Sequence, residues 1–213
     1  MRLLDLLTEN TAASPDRIYG VVVGVVTNNQ DPDKLGRVKV RFPWLGDNDE
    51  SSWARLATPM AGKERGLYFL PEVDDEVLVV FEHGDLRFPY ILGGLWGGKD
   101  RPPIDNSDGK NHVRLIRSRS GHTISLNDRD GQETIEIIDK TQKNKITIDT
   151  AKNTISIVAD KDITLSAPQG KITLAAQELE LKSSASTKIE SKAGMDIKAN
   201  GTIDIKGTTI NLN

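Results

Sequence analysis

The chain has 213 residues, 37% hydrophobic and 28% charged, with a formal net charge of −3 and no cysteine. That length allows one large domain or two small ones. The lack of cysteine excludes a disulfide framework, a thiolate nucleophile and a sulfur-ligated zinc site, and the acidic balance argues against a general nucleic-acid binder, which carries a basic excess. The only histidines are His83, His112 and His122, so histidine chemistry has little to draw on. The longest uncharged apolar run, Tyr19 to Val26, is too short to cross a bilayer. Asp5 interrupts the N-terminal leucines too early for a secretory h-region, so the expectation is a protein assembled in the cytoplasm without a signal peptide.

Residues 1–17 hold Leu3, Leu4, Leu6 and Leu7, which fit a short apolar helix or an extended arm ended by Pro15. Strand-like runs separated by turn signals follow. They are Tyr19 to Thr27 with Gly20 and Gly24 inside it, Arg37 to Phe42, Ser52 to Ala57, Gly66 to Leu70, Glu76 to Glu82, and Tyr90 to Leu92. Val38, Val40 and Phe42 alternate onto one face. So many short strands in so few residues predict a small closed barrel of OB type over 18–96. The glycines of the first run suit a coiled strand that bends sharply.

Many OB barrels bind single strands through aromatics on a basic groove. Residues 1–103 carry twelve Lys and Arg against sixteen Asp and Glu, a local charge of −4, so no nucleic-acid partner is expected. Glu72, Asp74, Asp75 and Glu76, followed by Glu82, His83 and Asp85, are the residues most tempting as a metal or hydrolytic site. The plainer reading is a solvated turn and a hairpin tip. His122, at a strand start after Gly121, reads as a turn residue. No catalytic, cofactor-binding or metal-binding residue is assigned.

All ten aromatics lie at or before Trp96, and eight of nine prolines at or before Pro103. So abrupt a shift marks two architectures joined by a polar Gly- and Pro-containing linker over 97–112. Beyond it, apolar residues recur as pairs spaced by two, from Ile124/Leu126, Ile135/Ile137, Ile146/Ile148 and Ile155/Ile157 through Ile163/Leu165 to Ile210/Leu212, with Thr187/Ile189 filling one gap. The middle residue of each pair is usually polar, as at Ser125, Thr147, Ser156 and Thr164. Each unit is therefore a very short strand with one apolar and one wet face. Turn signals such as Asp130-Gly131, Lys152-Asn153, Gln169-Gly170 and Asn200-Gly201 separate the units.

A ribbon of such strands cannot cover its own apolar stripe or its backbone edges, which invites association. Three ribbons wound about one axis solve both problems. On this reading each unit covers one face of a triangular prism, about three units complete a turn, and neighbouring chains supply the strands above and below. The fold expected is all-β: an OB barrel followed by an intertwined, trimeric triple-stranded β-helix over 113–213.

One ordered set of motifs carries a resemblance. It comprises Asp33-Lys34-Leu35-Gly36-Arg37-Val38-Lys39-Val40, Trp53-Ala54-Arg55, Leu70-Pro71-Glu72-Val73-Asp74-Asp75-Glu76-Val77, Phe81-Glu82-His83-Gly84-Asp85, Pro89-Tyr90-Ile91-Leu92-Gly93 and Ser120-Gly121-His122-Thr123-Ile124. In this order they resemble the baseplate assembly protein V family of phages and the spike domains of type VI valine–glycine repeat proteins. The resemblance implies a homotrimeric needle beneath a tail tube. It also implies a trimeric hub at the N-terminal end and a small conical PAAR-like tip protein at the C-terminal end. Some relatives carry a lysozyme domain between barrel and helix, for which the stretch from Trp96 to Ser118 leaves no room. Only the residues before Ile18 stand where type VI relatives carry a hub domain, so a separate hub is expected. The ending Ile210-Asn211-Leu212-Asn213 lacks the His-x-His that holds an apical iron in certain phage spikes. The function implied is a structural, non-enzymatic central spike of a phage tail, tailocin or extracellular injection system that pierces the target envelope. The alternative is a trimeric fibre with carbohydrate-binding or hydrolytic activity, but such shafts place aromatics and carboxylate pairs along their length, and no aromatic follows Trp96.

Overall fold

The computed structural model describes residues 17–46 and 49–211. The expected N-terminal arm therefore lies outside the described residues except for Arg17, as does Leu212 of the last apolar pair. The regular structure is all-β apart from a 3-10 turn at Glu82–Gly84. No helix among the described residues is long and apolar enough to cross a membrane. The chain divides into two units, Met1–Asp160 and Lys161–Asn213.

The first unit opens with β1 (Val22–Asn28), β2 (Lys39–Arg41), β3 (Arg55–Leu56), the hairpin β4 (Ala61–Gly62) and β5 (Arg65–Gly66), then β6 (Glu76–Phe81) and β7 (Pro89–Gly94). Five of these strands form one sheet in the order β2-β1-β6-β7-β3, antiparallel except for the β3–β7 pair. A bridge closes the sheet on itself: Val38 N–H donates to the Ala54 carbonyl at 3.0 Å, and Ala54 N–H returns to Val38 at 2.7 Å. This is the connectivity of an OB barrel. Alternation sends Val77, Val79 and Phe81 of β6 inward against Val26, Val40 and Ile91. The Phe42 and Phe81 rings tilt against each other at 5.5 Å. Gly24 is buried in this wall, and a Cβ there would stand 3.2 Å from Val79 Cγ2 and 3.4 Å from both Phe42 and Val40.

The strand expected over Gly66 to Leu70 is not formed. Its first residue instead ends the β4–β5 hairpin, with φ of 152° and the Met60 carbonyl 2.6 Å from where a Cβ would sit. Only glycine fits that close approach, and the chain beyond it leaves the ladder.

The loop between β1 and β2 coils around one carboxylate. Asp31, its side chain 3% exposed, accepts N–H bonds from Asp33, Leu35 and Arg37 and a two-pronged contact from the Arg37 guanidinium at 2.7–2.9 Å. Lys34 and Gly36 take left-handed φ values of 57° and 69° to make the coil. The Arg37 bonds hold the Asp31 carboxyl well below the usual carboxylate range, against the opposing effect of desolvation. A lowered folded-state value means stability that is fully present above the unfolded value near 4 and is lost as pH falls through the folded one. Asp31→Asn should therefore lower the barrel's melting temperature at neutral pH, with the deficit closing as pH drops from about 4 toward 2. Melts of both proteins across that range check this; a deficit unchanged at pH 2 would deny the carboxylate its role.

Five strands follow in the same unit: β8 (Val113–Arg117), β9 (Thr123–Asn127), β10 (Thr134–Ile138), β11 (Lys145–Asp149) and β12 (Thr154–Val158). They form an antiparallel meander in chain order. Here the structure corrects the expected winding. The units at Ile124, Ile135, Ile146 and Ile155 do not pass from face to face but pair with one another inside one chain. Each connection reverses through a residue in the left-handed region: Gly121 (φ 101°), Gly131 (71°), Gln142 (62°) and Asn153 (52°).

In the second unit the described residues, 161–211, form no strand. One backbone–backbone hydrogen bond is made there among the described residues, from Gly170 N–H to the Ala167 carbonyl at 3.1 Å. No described residue after Asn153 has a positive φ.

Candidate functional site

The register of the β8–β12 sheet places its apolar residues in two rows on one face. The first row is Ile116, Ile124, Ile137, Ile146 and Ile157, each directly opposite the next. The second is Arg114, Leu126, Ile135, Ile148 and Ile155. Directly opposed residues share a face, so the two rows make one continuous apolar surface. The row between them, Leu115, Ser125, Glu136, Thr147 and Ser156, points the other way. The nine Ile and Leu side chains of the two rows remain between 38% and 72% exposed, most of all on β12. The first row lines a groove of about 550 Å³.

Polar side chains fix the turns that hold these rows in register. Asp139 is partly desolvated, yet hydrogen bonds from Thr141 and Asn144 prevail and hold its carboxyl at about 2. Asn144 Oδ1 also accepts Asp160 N–H at 3.0 Å, and Lys143 pairs with the Asp160 carboxylate at 3.1 Å. His122 lies in the β8–β9 turn, where its Nδ1 accepts Lys140 N–H at 3.2 Å. At the first strand Arg114 substitutes for an apolar residue and pairs with Asp128. That arginine breaks the apolar pair on this face of β8, and the one apolar pair spaced by two in the strand, Val113 and Leu115, lies on the other face.

Within the second unit the same pattern persists. Ile163, Leu165, Ile172, Leu174, Leu179, Leu181, Ile189, Met195, Ile197, Ile203, Ile205 and Ile210 are 48–72% exposed. This run of aliphatic side chains is uncovered, on a backbone with almost no internal partner among the described residues.

Of the acidic residues singled out in the barrel, Glu72, Asp75, Glu82 and Asp85 have side-chain partners. Glu72 N–H donates to the Asp75 carboxylate at 2.8 Å, and the Glu72 carboxylate accepts Arg119 of the β8–β9 turn at 2.7 Å. Asp74, at φ 76°, donates its N–H to Val26 O. Glu76 opens β6 opposite Val25. Glu82 accepts the Tyr90 hydroxyl at 2.6 Å, and Asp85 is held at about 2 by its bonds from Arg87. His83, at φ 50°, occupies the turn between β6 and β7, where its carbonyl accepts Arg17. Among the described residues no three His, Asp or Glu side chains gather closely enough to hold a metal ion.

Comparison with known proteins finds matches in two parts of the chain. Residues 22–96 match the "Type VI secretion system/phage-baseplate injector OB domain". Residues 114–213 match the family "Uncharacterized protein conserved in bacteria (DUF2345)". Among curated proteins, the chain is 36% identical over 132 residues to the type VI secretion system spike protein VgrG5 of Pseudomonas aeruginosa, covering 56% of this chain and 17% of that protein. It is 34% identical over 111 residues to the spike protein VgrG3 of Vibrio cholerae, covering 48% and 11%. It is 32% identical over 111 residues to the actin cross-linking toxin VgrG1 of Vibrio cholerae, covering 48% of this chain and 10% of the toxin. The chain thus spans less than a fifth of the length of these relatives. An injector OB domain followed by a DUF2345 segment, with spike proteins among the relatives, makes this chain similar to the phage-baseplate and type VI spike proteins.

Proposed function

We propose that the chain is the structural spike of a contractile injection machine, a homotrimer that pierces a target envelope when force is applied from the barrel end. The observation that carries this reading is the open apolar face of β8–β12 together with the uncovered Ile and Leu pairs that follow it. In the trimer, three copies turn these faces to a common axis. Residues 161–211 then find between chains the backbone partners they lack within one, as an intertwined triple-stranded β-helix. Full burial of an Ile or Leu side chain contributes about 1.5–3 kcal/mol. Even discounted for the share already covered, such side chains from three copies give on the order of tens of kcal/mol against the ordering entropy.

The role is mechanical and not catalytic. What supports this is that the matched relatives include spike proteins and that Glu72, Asp75, Glu82 and Asp85 of the barrel are engaged in turns and ion pairs. The family resemblance supports a trimeric hub at the barrel end, a small conical PAAR-like tip protein at the other, and assembly in the cytoplasm into a phage-tail-like particle.

Light scattering and native mass spectrometry should return a trimer whose mass does not fall on dilution into the nanomolar range, because the folded state of a shared core is tied to association. A folded monomer at any concentration would overturn the reading.

A further inference from the structure

The two edges of the β8–β12 sheet are unlike. At β8 the edge is guarded by charge: Arg114 and Arg117 lie on the strand, and Arg114 is tied to Asp128 and to the Asn111 carbonyl. Charged side chains on an edge block pairing with another strand. At β12 every residue is exposed, the sequence Thr154-Ile155-Ser156-Ile157-Val158 carries no charge, and one backbone edge has no neighbouring strand. An uncharged, β-branched edge of this kind accepts a further strand.

The next strand-like unit in the sequence is Ile163-Thr164-Leu165. To return along β12 within one chain it would have to reverse through Ala159-Asp160-Lys161. Every earlier reversal in the sheet uses a left-handed residue, and none of these three takes a positive φ. Three-residue hairpins require a residue in that region. Asp160 is moreover held to Lys143 and Asn144 of the β10–β11 turn.

We infer that the open edge of β12 is paired, in the assembled protein, with Ile163–Leu165 of a second copy of this chain. This rests on the trimer proposed above and names the strand at which pairing passes from within a chain to between chains. The occupant is self-complementary. It offers an unpaired backbone, the same apolar-polar-apolar pattern, and a register in which Ile155 and Ile157 oppose Ile163 and Leu165 while Ser156 opposes Thr164 on the wet face. That central match holds whether the two strands run parallel or antiparallel.

The cysteine-free chain makes the test clean. Directly opposed residues have Cβ atoms about 4.5–5.5 Å apart, within reach of a disulfide after small adjustment. The full-length Ser156→Cys/Thr164→Cys protein is oxidised mildly and run on a non-reducing denaturing gel, with its native mass measured before denaturation. Co-expressed single variants, one chain carrying Ser156→Cys and the other Thr164→Cys, serve as a second arm, and each single variant alone as control. The expected result is a covalent trimer from the double variant, linked dimers from the co-expressed pair, and no comparable product from either single variant. A disulfide within one chain would overturn the inference, because the strand would then be the chain's own. A native trimer with no cross-link in either arm would overturn it while leaving the trimer standing. A native monomer would overturn the trimer itself.

Discussion

Ile146→Asp is expected to abolish the trimer, whereas Thr147→Asp, one residue along the same strand, is expected to leave it intact. Ile146 stands in the middle of the first apolar row, opposite Ile137 on one side and Ile157 on the other. In a trimer with these faces turned inward, the substitution places three carboxylates at one level of an aliphatic core. An unpaired charge so placed costs several kcal/mol per chain, and like charges add to it. Thr147 points to the opposite face, where its hydroxyl donates to Glu136 at 3.3 Å. An aspartate there meets Glu136 across the strand pair, a like-charge contact that costs no more than about 1 kcal/mol. The contrast in magnitude decides the outcome. Light scattering of the two variants side by side reads it, and equal trimer populations would show that the faces have been assigned the wrong way round.

Gly24→Val is the largest effect expected in the barrel. Even a bare Cβ at this position lies within 3.4 Å of Val79, Phe42 and Val40, and valine adds two further carbons in a wall that is already closed. Overpacking of this kind costs about 1–3 kcal/mol, and each kcal/mol lowers the melting temperature of so small a domain by roughly 4–8 °C. Gly20 supplies the control, since a Cβ there meets nothing within 4 Å. Gly20→Val should melt with the parent protein. Equal melting of all three would mean that the first strand can shift outward and that the barrel does not need glycine at this point.

The all-β class, the barrel and the run of paired apolar strands were legible in the sequence because each rests on a short-range pattern. Val38, Val40 and Phe42 alternate, and so do Val77, Val79 and Phe81; all six lie in the barrel core. The displacement of every aromatic to the first 96 residues separated the two architectures before any strand was drawn. What escaped was decided by turns. Units 11 residues apart and units 8 apart share one apolar alternation, so a single winding was expected for both. Each link between the units from Ile124 to Ile155 carries a left-handed turn residue, and the strands fold back on one another instead. The same holds at Gly66, whose sequence neighbourhood reads as a strand until the approach of the Met60 carbonyl is seen. Asp31 escaped for a different reason: its bonds are to backbone N–H groups of the loop it organises, and no residue pattern announces which backbone will curl toward a carboxylate. In the candidate surface, the apolar pairs were visible and the open edge at β12 was not, because an edge is a property of neighbours.

The last left-handed residue of the described chain is Asn153, and this has a consequence for how such proteins change in evolution. A hairpin cannot be deleted or duplicated without refitting the special residue at its tip. A strand-and-corner unit that demands no such residue can be. In the trimer proposed here, gaining or losing one unit beyond Asn153 leaves every other unit with the conformation it had, as in other repeat architectures where each module touches only its neighbours. Reach then becomes a counted quantity, adjustable in steps of about 4.8 Å for each strand layer, while the barrel and the first sheet remain untouched. Related spikes should accordingly differ in length by whole units after this point, and hold their length constant before it.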